Sequence, residues 1–265
     1  MRHGSGVRIA TYNINGTNGR LETLLAWLDD TQSDIVCLQD LKAPQAKFPE
    51  RQLKEAGYAY VWHGQSRWNG VAILSRGSEP VLTRRGLPRD PDPSQCRYIE
   101  AAVNGVLVGC LYVPNGNPAP GPKWDYKLEW LKQFTVHAKQ LLALDVPVIL
   151  AGDYNIIPAE HDVYNPDRWQ DDALFLPQHV RKAYASLLKQ GWCGATATIH
   201  TDKPVYPFWD YLRQARERSA GLRLDHLLLS HHLTARLKDA GVDRDMRGRS
   251  KASDHAPAWI DLARE

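Results

Sequence analysis

The feature that most narrows the fold is a series of short apolar runs, each of strand length, several of them stopped by acidic or amide residues. Val7 to Asn13 ends in Asn13, Asn15 and Gly16; Asp34 to Gln39 stops at Asp40; Asp145 to Ala151 runs into Gly152 and Asp153. Val71 to Ser75, Tyr98 to Val103 and Val106 to Val113 are runs of similar size, and Leu222 to Leu229 and Ala258 to Leu262 read as the last strands. Apolar runs this short, bounded by turn residues, suit strands buried in a sheet. Between them lie helical patterns. Leu21, Leu24, Leu25 and Leu28 recur at helical spacing, and so do Leu128, Leu131, Ala138, Leu141 and Leu142 within 124–144. Val180 to Gln190 reads as a further helix, with Gly191 as its stop.

Asn104-Gly105 separates two of the runs and is a strong two-residue hairpin signal, so the sheet content includes an antiparallel pair. Strands interleaved with helices that must cover sheet faces predict an α/β four-layer sandwich: two mixed β-sheets packed face to face, with helices outside. The chain shows no repeat, low-complexity tract or linker. The Pro- and Gly-rich segment 114–122 directly follows a strand, and helical spacing resumes at once. A single domain over 1–265 is therefore expected, with Met1 to Gly6 set apart as a tag or disordered tail.

Composition excludes other classes. The four cysteines show no paired spacing, and Cys37 and Cys110 sit inside apolar runs, which predicts buried free thiols rather than a disulfide scaffold. No run is long enough to span a membrane and the start lacks a signal-like apolar stretch, so a cytoplasmic protein is expected. A net charge of +3 permits a polyanionic partner without demanding one. No apolar patch is left once the core is assigned, and a monomer is expected.

The polar clusters at the strand ends carry the chemistry. Asp254-His255, in a loop just before Ala258-Trp259-Ile260, sets a metal-capable carboxylate beside a proton-handling imidazole. Asp40 suits either a turn or a hard cation such as Mg²⁺, which takes one or two carboxylates and keeps several waters. Asp254 is the natural second carboxylate, and Asn13 can hold a ligand or substrate oxygen. Asp153 and Asn155 stand at i, i+2, on one side of an extended segment. They read as an Asx-type turn or as a water-activating carboxylate with a supporting amide. Asp225 and His226 face opposite ways on a strand; Asp225 is the one expected to reach the site and orient His255. Tyr112 is either a packing aromatic or a phenol donating to a phosphate. Phe208, Trp209 and Arg213 belong to an aromatic and basic stretch that suits nucleic acid, and Arg97 lies in a basic approach to a strand.

The motifs TYNING (11–16), LQDLK (38–42), NGVAILS (69–75), RYIEA (97–101), LYVPNG (111–116), AGDYNIIP (151–158), FWDY (208–211), LRLDHLLLS (222–230) and KASDHAP (251–257) follow one another over nearly the whole chain. Together they resemble exonuclease III-type enzymes of the endonuclease/exonuclease/phosphatase family. The resemblance implies a phosphodiesterase dependent on Mg²⁺, or Mn²⁺ in its place. It implies double-stranded DNA with abasic sites or 3′ ends as the partner. Activities in the family include incision 5′ to an abasic site, 3′-to-5′ degradation and removal of 3′-blocking groups. Carried onto these positions, it makes Asn13, Asp40 and Asp254 metal-site residues and Tyr112, Asp153, Asn155, Asp225 and His255 catalytic. Arg97 and Arg213 become DNA contacts, and Phe208, Trp209 and Leu222 form a pocket for a base-less sugar. The chain departs from the family pattern in three places. Asp40 stands where Glu is usual and is shorter by roughly 1.5 Å, a large error for a metal with strict geometry. Gly194 stands where relatives often carry Asp. Tyr154 replaces a common Met, with little consequence expected.

Overall fold

The computed structural model describes residues 6–202, 205–211, 215 and 217–264. In chain order its strands are β1 (Gly6–Asn13), β2 (Ile35–Gln39), β3 (Tyr58–His63), β4 (Val71–Arg76), β5 (Val81–Arg85), β6 (Tyr98–Val103), β7 (Val106–Tyr112), β8 (Val148–Asp153), β9 (Cys193–Gly194), β10 (Asp225–Leu229), β11 (Leu237–Val242) and β12 (Ala258–Ala263). The helices are α1 (Leu21–Thr31), α2 (Glu50–Glu55), α3 (Pro122–Leu142), α4 (Lys182–Gln190), α5 (Ala195–Ile199) and α6 (His231–Thr234).

The strands form two six-stranded mixed sheets, ordered β11-β12-β1-β2-β4-β3 and β5-β6-β7-β8-β10-β9. β1 runs parallel to β2 and β7 parallel to β8; the remaining pairs are antiparallel. The period of two along each strand divides its side chains between two cores. Ile9, Ile35, Cys37 and Ile73 of the first sheet meet Ile99, Cys110, Ile149 and Leu227 of the second in the central layer. The alternate residues Ala10, Tyr12, Val36 and Leu38 pack outward against Leu24, Trp27 and Leu28 of α1. Tyr98, Leu111 and Leu150 pack outward against Trp130, Phe134 and Leu141 of α3 and Leu187 of α4. This is the four-layer sandwich expected, and it explains why the central strands read as unbroken apolar runs: both faces are covered.

The Asn104-Gly105 turn has both residues at positive φ, 49° and 79°, with Val103 opposite Val106, as a two-residue hairpin requires. Sequence periodicity does not reveal β3, β5 or β11. All five residues of β5, Val-Leu-Thr-Arg-Arg, are exposed at a sheet edge, so no buried face imposes a pattern. The strand expected from Leu222 begins only at Asp225; Leu222 forms isolated bridges to Val163 and Phe208 instead. The helix expected from Val180 begins at Lys182, after a wider turn at Pro177–Arg181. β1 already includes Gly6, and Met1 to Ser5 lie outside the described residues. Cys37, Cys96 and Cys110 are buried free thiols and Cys193 is a half-buried one. Among the described residues no helix is long and apolar enough to cross a membrane.

One glycine sets the spacing of the strands that carry the site. A Cβ on Gly152 would lie 1.9 Å from the Leu111 carbonyl oxygen on β7. Backbone cannot yield there without parting β7 from β8. Gly152→Ala is expected to destabilise the protein by about 3 kcal/mol or more, at the upper end of overpacking costs. A urea unfolding midpoint equal to that of the parent protein would refute this account of the close approach.

Candidate active site

The topology brings distant residues to one end of the sandwich. Parallel β1 and β2 both end there, at Asn13 and just before Asp40; parallel β7 and β8 end there at Tyr112 and Asp153. β10 is antiparallel to β8 and therefore starts there, with Asp225 opposite Asp153. β12 is antiparallel to β1, so the loop that precedes it delivers Asp254 and His255 to the same end. Asn13, Asp40, Arg97, Tyr112, Asp153, Asn155, Phe208, Asp254 and His255 all line one cleft of about 900 Å³.

Asp153 lies at its centre and is buried. Its Oδ2 accepts from Asn13 Nδ2 (3.0 Å) and its Oδ1 from the Asn155 backbone N–H (2.8 Å). Asn155 also donates from Nδ2 to the Val113 carbonyl (2.9 Å) and sits at φ 47°, a left-handed conformation that Asn tolerates. The local turn and the site are thus one feature. Burial raises the Asp153 carboxyl to about 7; the His255 charge opposes this and the Asp225 charge reinforces it.

His255 is buried, with Nδ1 2.7 Å from Asp225 Oδ2 and Nε2 3.8 Å from Asp153 Oδ2. Burial alone would lower its pKa, but the carboxylates of Asp225, Asp153 and Asp254 overcome that and raise it to about 10. The ring is an imidazolium across neutral pH. Since its folded-state pKa lies above the ordinary 6.5, the ion pair stabilises the fold fully below about 6.5 and the contribution is lost as pH rises through about 10. Phe208 meets the ring edge to face at 4.9 Å between centroids. His226 points the other way: Nε2 donates to the Ile156 carbonyl (3.1 Å), Nδ1 accepts from the Tyr184 hydroxyl (3.4 Å), and burial lowers its pKa to about 3, so it stays neutral.

Burial pushes Asp40 up, partly offset by Lys42, whose Nζ is 3.2 Å from Oδ2. Asp254 accepts from Asn15 Nδ2 at 3.0 Å; burial pushes it up, but His255 and Asn15 more than offset this and hold it below the usual carboxylate range. Tyr112 is half-buried, and burial, then the Asp40 and Asp153 charges, push its hydroxyl well above its ordinary value, so it remains a donor. Arg97 is locked in place: Nε donates to Gln95 Oε1 (2.8 Å), Nη1 to the Tyr112 carbonyl (3.2 Å), and the guanidinium lies 5.0 Å over the Tyr112 ring.

Asn13, Asp40 and Asp254 all line the cleft and offer oxygen donors to a cation, with the Asn13 amide nitrogen turned to Asp153. Among the described residues no three acidic, histidine or cysteine ligand atoms of the cleft lie within 4.8 Å of one another. So sparse a set suits Mg²⁺ or Mn²⁺, which retain water, and not a closed cage.

Two of the expected pocket residues are elsewhere. Trp209 is buried against Ala215 and Ala256 with the Arg244 guanidinium 5.1 Å over its ring, so it supports the loop and does not line the cleft. Leu222 is buried with Val163, Phe175 and Leu224 behind Phe208; Leu224 lines the cleft in its place. Arg213 lies outside the described residues. Gly194 pairs with Leu228, away from the Asp225 end of β10.

Sequence reading missed four supporting residues. Lys42 Nζ donates to Asn15 Oδ1 (2.6 Å), and Asn15 links it to Asp254. Ser253 donates to the Asn13 carbonyl (2.7 Å) and accepts from the His255 N–H (3.2 Å). Lys127 is fully buried and donates to the carbonyls of Asn155 (2.6 Å), Asn115 (3.0 Å) and Ala173 (3.0 Å), tying three loops together. Its signal was present: it shares the apolar stripe of α3 with Trp124, Trp130, Leu131 and Phe134.

The residues 10–255 match the sequence pattern of the Endonuclease/Exonuclease/phosphatase family. The chain is 31% identical over 269 residues to exodeoxyribonuclease III of Haemophilus influenzae, covering 97% of this chain and all of that protein. It is similar to the structure of an AP endonuclease from Archaeoglobus fulgidus (TM-score 0.92, 33% identity, 97% and 99% of the two chains). It is also similar to the 3′-5′ exonuclease NExo of Neisseria meningitidis (TM-score 0.94, 37% identity, 97% and 100%).

The ion pair yields a spectroscopic prediction. In Asp225→Asn the burial of His255 persists while its nearest counter-charge is removed, so its pKa is expected to fall by more than one unit. An NMR titration of the ring that is indistinguishable from that of the parent protein would refute the assigned role of Asp225.

Proposed function

We infer that this chain, which belongs to the endonuclease/exonuclease/phosphatase family, is a metal-dependent DNA-repair phosphodiesterase that hydrolyses its substrate by water attack on phosphorus. The observation that carries the reading is the Asp153–His255 pair: 3.8 Å apart, buried and in one cleft, with His255 held as an imidazolium and the Asp153 carboxyl raised to titrate near neutrality.

A carboxyl raised to about 7 is suited to taking a proton from water near neutrality. The Asn13 amide and the Asn155 N–H fix its two oxygens, so it is oriented before substrate arrives. The His255 imidazolium, turned by Asp225, supplies positive charge for the phosphate oxygens as negative charge grows there. The Tyr112 hydroxyl, kept protonated, donates to the same phosphate. Asn13, Asp40 and Asp254 would hold the Mg²⁺ or Mn²⁺, which supplies charge neutralisation at the phosphate when bound. Phe208 offers an apolar face at the cleft, and the Arg97 and Lys123 side chains at its rim offer charge for the DNA backbone. Abasic sites and 3′ ends of duplex DNA are the proposed substrates, with a single domain acting as a monomer.

Lys42 favours a second reading. Its ammonium occupies the neighbourhood of an already short Asp40 and competes for the place of a cation, which suits a DNA-end binder with weakened catalysis.

Cleavage of a labelled duplex carrying one abasic-site analogue, in parallel with Mg²⁺, Mn²⁺ and EDTA, separates the two. Metal-dependent incision 5′ to the lesion or stepwise 3′ shortening is expected, and no cleavage with retained binding would establish the second reading. Asp153→Asn is expected to lose activity by about 10²–10⁴-fold, the range of general-base catalysis, with DNA binding nearly unchanged; lost binding in a gel shift would move Asp153 to a binding or folding role. Asp40→Glu is expected to lower the Mg²⁺ concentration needed for half-maximal activity. An unchanged metal curve would overturn the account of Asp40.

A further inference from the structure

A second cluster lies at the other end of the same strands. Asp145, in the turn between α3 and β8, faces His231 and His232 at the start of α6, directly after β10. Among the described residues it is the one group of three acidic, histidine or cysteine side chains whose ligand atoms all lie within 4.8 Å of one another. β8 runs from this cluster to Asp153, a span of roughly 17 Å at 3.3 Å per residue, so the cluster is separate from the cleft.

We propose that Asp145, His231 and His232 form a binding site for one divalent first-row transition-metal ion. His231 Nε2 lies 3.7 Å and His232 Nε2 3.6 Å from the same oxygen, Asp145 Oδ1. Both separations are too long for hydrogen bonds. They do match shared ligation: bonds of about 2.0–2.1 Å at a tetrahedral ion place ligand atoms roughly 3.3 Å apart. The two imidazoles lie side by side, 3.8 Å between ring centroids, and present their Nε2 atoms to one point. His232 Nδ1 is buried with no hydrogen-bond partner, so Nε2 is the polar outlet of that ring.

The backbone under the three side chains is braced. Ser230 N–H donates to the Val148 carbonyl (2.9 Å) and Val148 N–H donates to Ser230 Oγ (2.9 Å), locking the two loops together. The Asp145 N–H donates to the Leu142 carbonyl at 3.2 Å. Two imidazoles and a carboxylate are the donor set of Zn²⁺ and its neighbours rather than of Mg²⁺. Asp145 and His231 are exposed, which leaves the remaining coordination positions to water. A bound ion staples the α3–β8 turn to α6, and through them the far ends of β8 and β10.

The test is calorimetric titration of Zn²⁺ into the protein carrying Asp40→Ala, which removes a cleft carboxylate, and into the same protein with His231→Ala and His232→Ala added. One saturable equivalent of micromolar affinity is expected in the first, weakened at least about tenfold in the second, as loss of metal ligands requires. No saturable binding, or equal binding in both proteins, would overturn the site. Zn²⁺ is also expected to raise the Tm of the first protein only; binding without that shift would overturn the stapling role. Circular dichroism of both proteins verifies that the substitutions leave the fold intact.

Discussion

Charge balance among buried side chains at one cleft is the constraint on which the site depends. Asp153, Asp225 and Asp254 crowd around one imidazolium, and burial alone would force the carboxylates neutral. His255 at once lowers the cost of keeping them charged and acquires its own proton from their field. Asp225 serves mainly to hold the ring, through a 2.7 Å contact; its other oxygen has no hydrogen-bond partner. Asp153, 3.8 Å from His255 Nε2, is raised to about 7 chiefly by burial. Environment, not residue type, therefore gives three aspartates three roles.

That balance is held by groups that are not themselves reactive. Asn13, Asn15, Ser253 and Lys42 form a polar chain from the end of β1 to the loop before β12, while Lys127 clamps the carbonyls of three loops on the other side of the cleft. Each satisfies buried acceptors that would otherwise be costly to desolvate. The two sheets thus carry complementary halves of the cleft. The first brings the oxygen donors proposed for metal, and the second brings Tyr112, Asp153 and Asp225.

Much of this was legible in the residues because burial leaves a pattern. Central strands packed on both faces had to be apolar throughout, and Asn104-Gly105 had to turn where two such strands met. Strand alternation separated Asp225 from His226 correctly, since a period of two admits only one of them to the site. Trp209 and Leu222 were read as pocket walls because aromatic and aliphatic residues beside a basic stretch suit either a pocket or a core. Leu222 is buried behind Phe208, and Trp209 against Ala215 and Ala256, positions set by long-range pairings such as the bridges from Phe208 to Leu222 and His255, which no local signal announces. β5 stayed invisible because an exposed edge strand has no face to bury.

Local chemistry alone determined the elements, the two-sheet architecture and the residue types capable of metal and proton chemistry, because those follow from periodicity, turn conformation and side-chain functional groups. Only the tertiary structure decided the protonation states of Asp153 and His255, the pairing of Lys42 with Asp40, and the meeting of Asp145 with His231 and His232. The meetings of Asp153 with His255 and of Asp145 with His231 and His232 join segments far apart in the chain, and the Lys42–Asp40 contact depends on the backbone conformation between them; electrostatic fields and coordination geometry are set by distance, which sequence spacing does not specify.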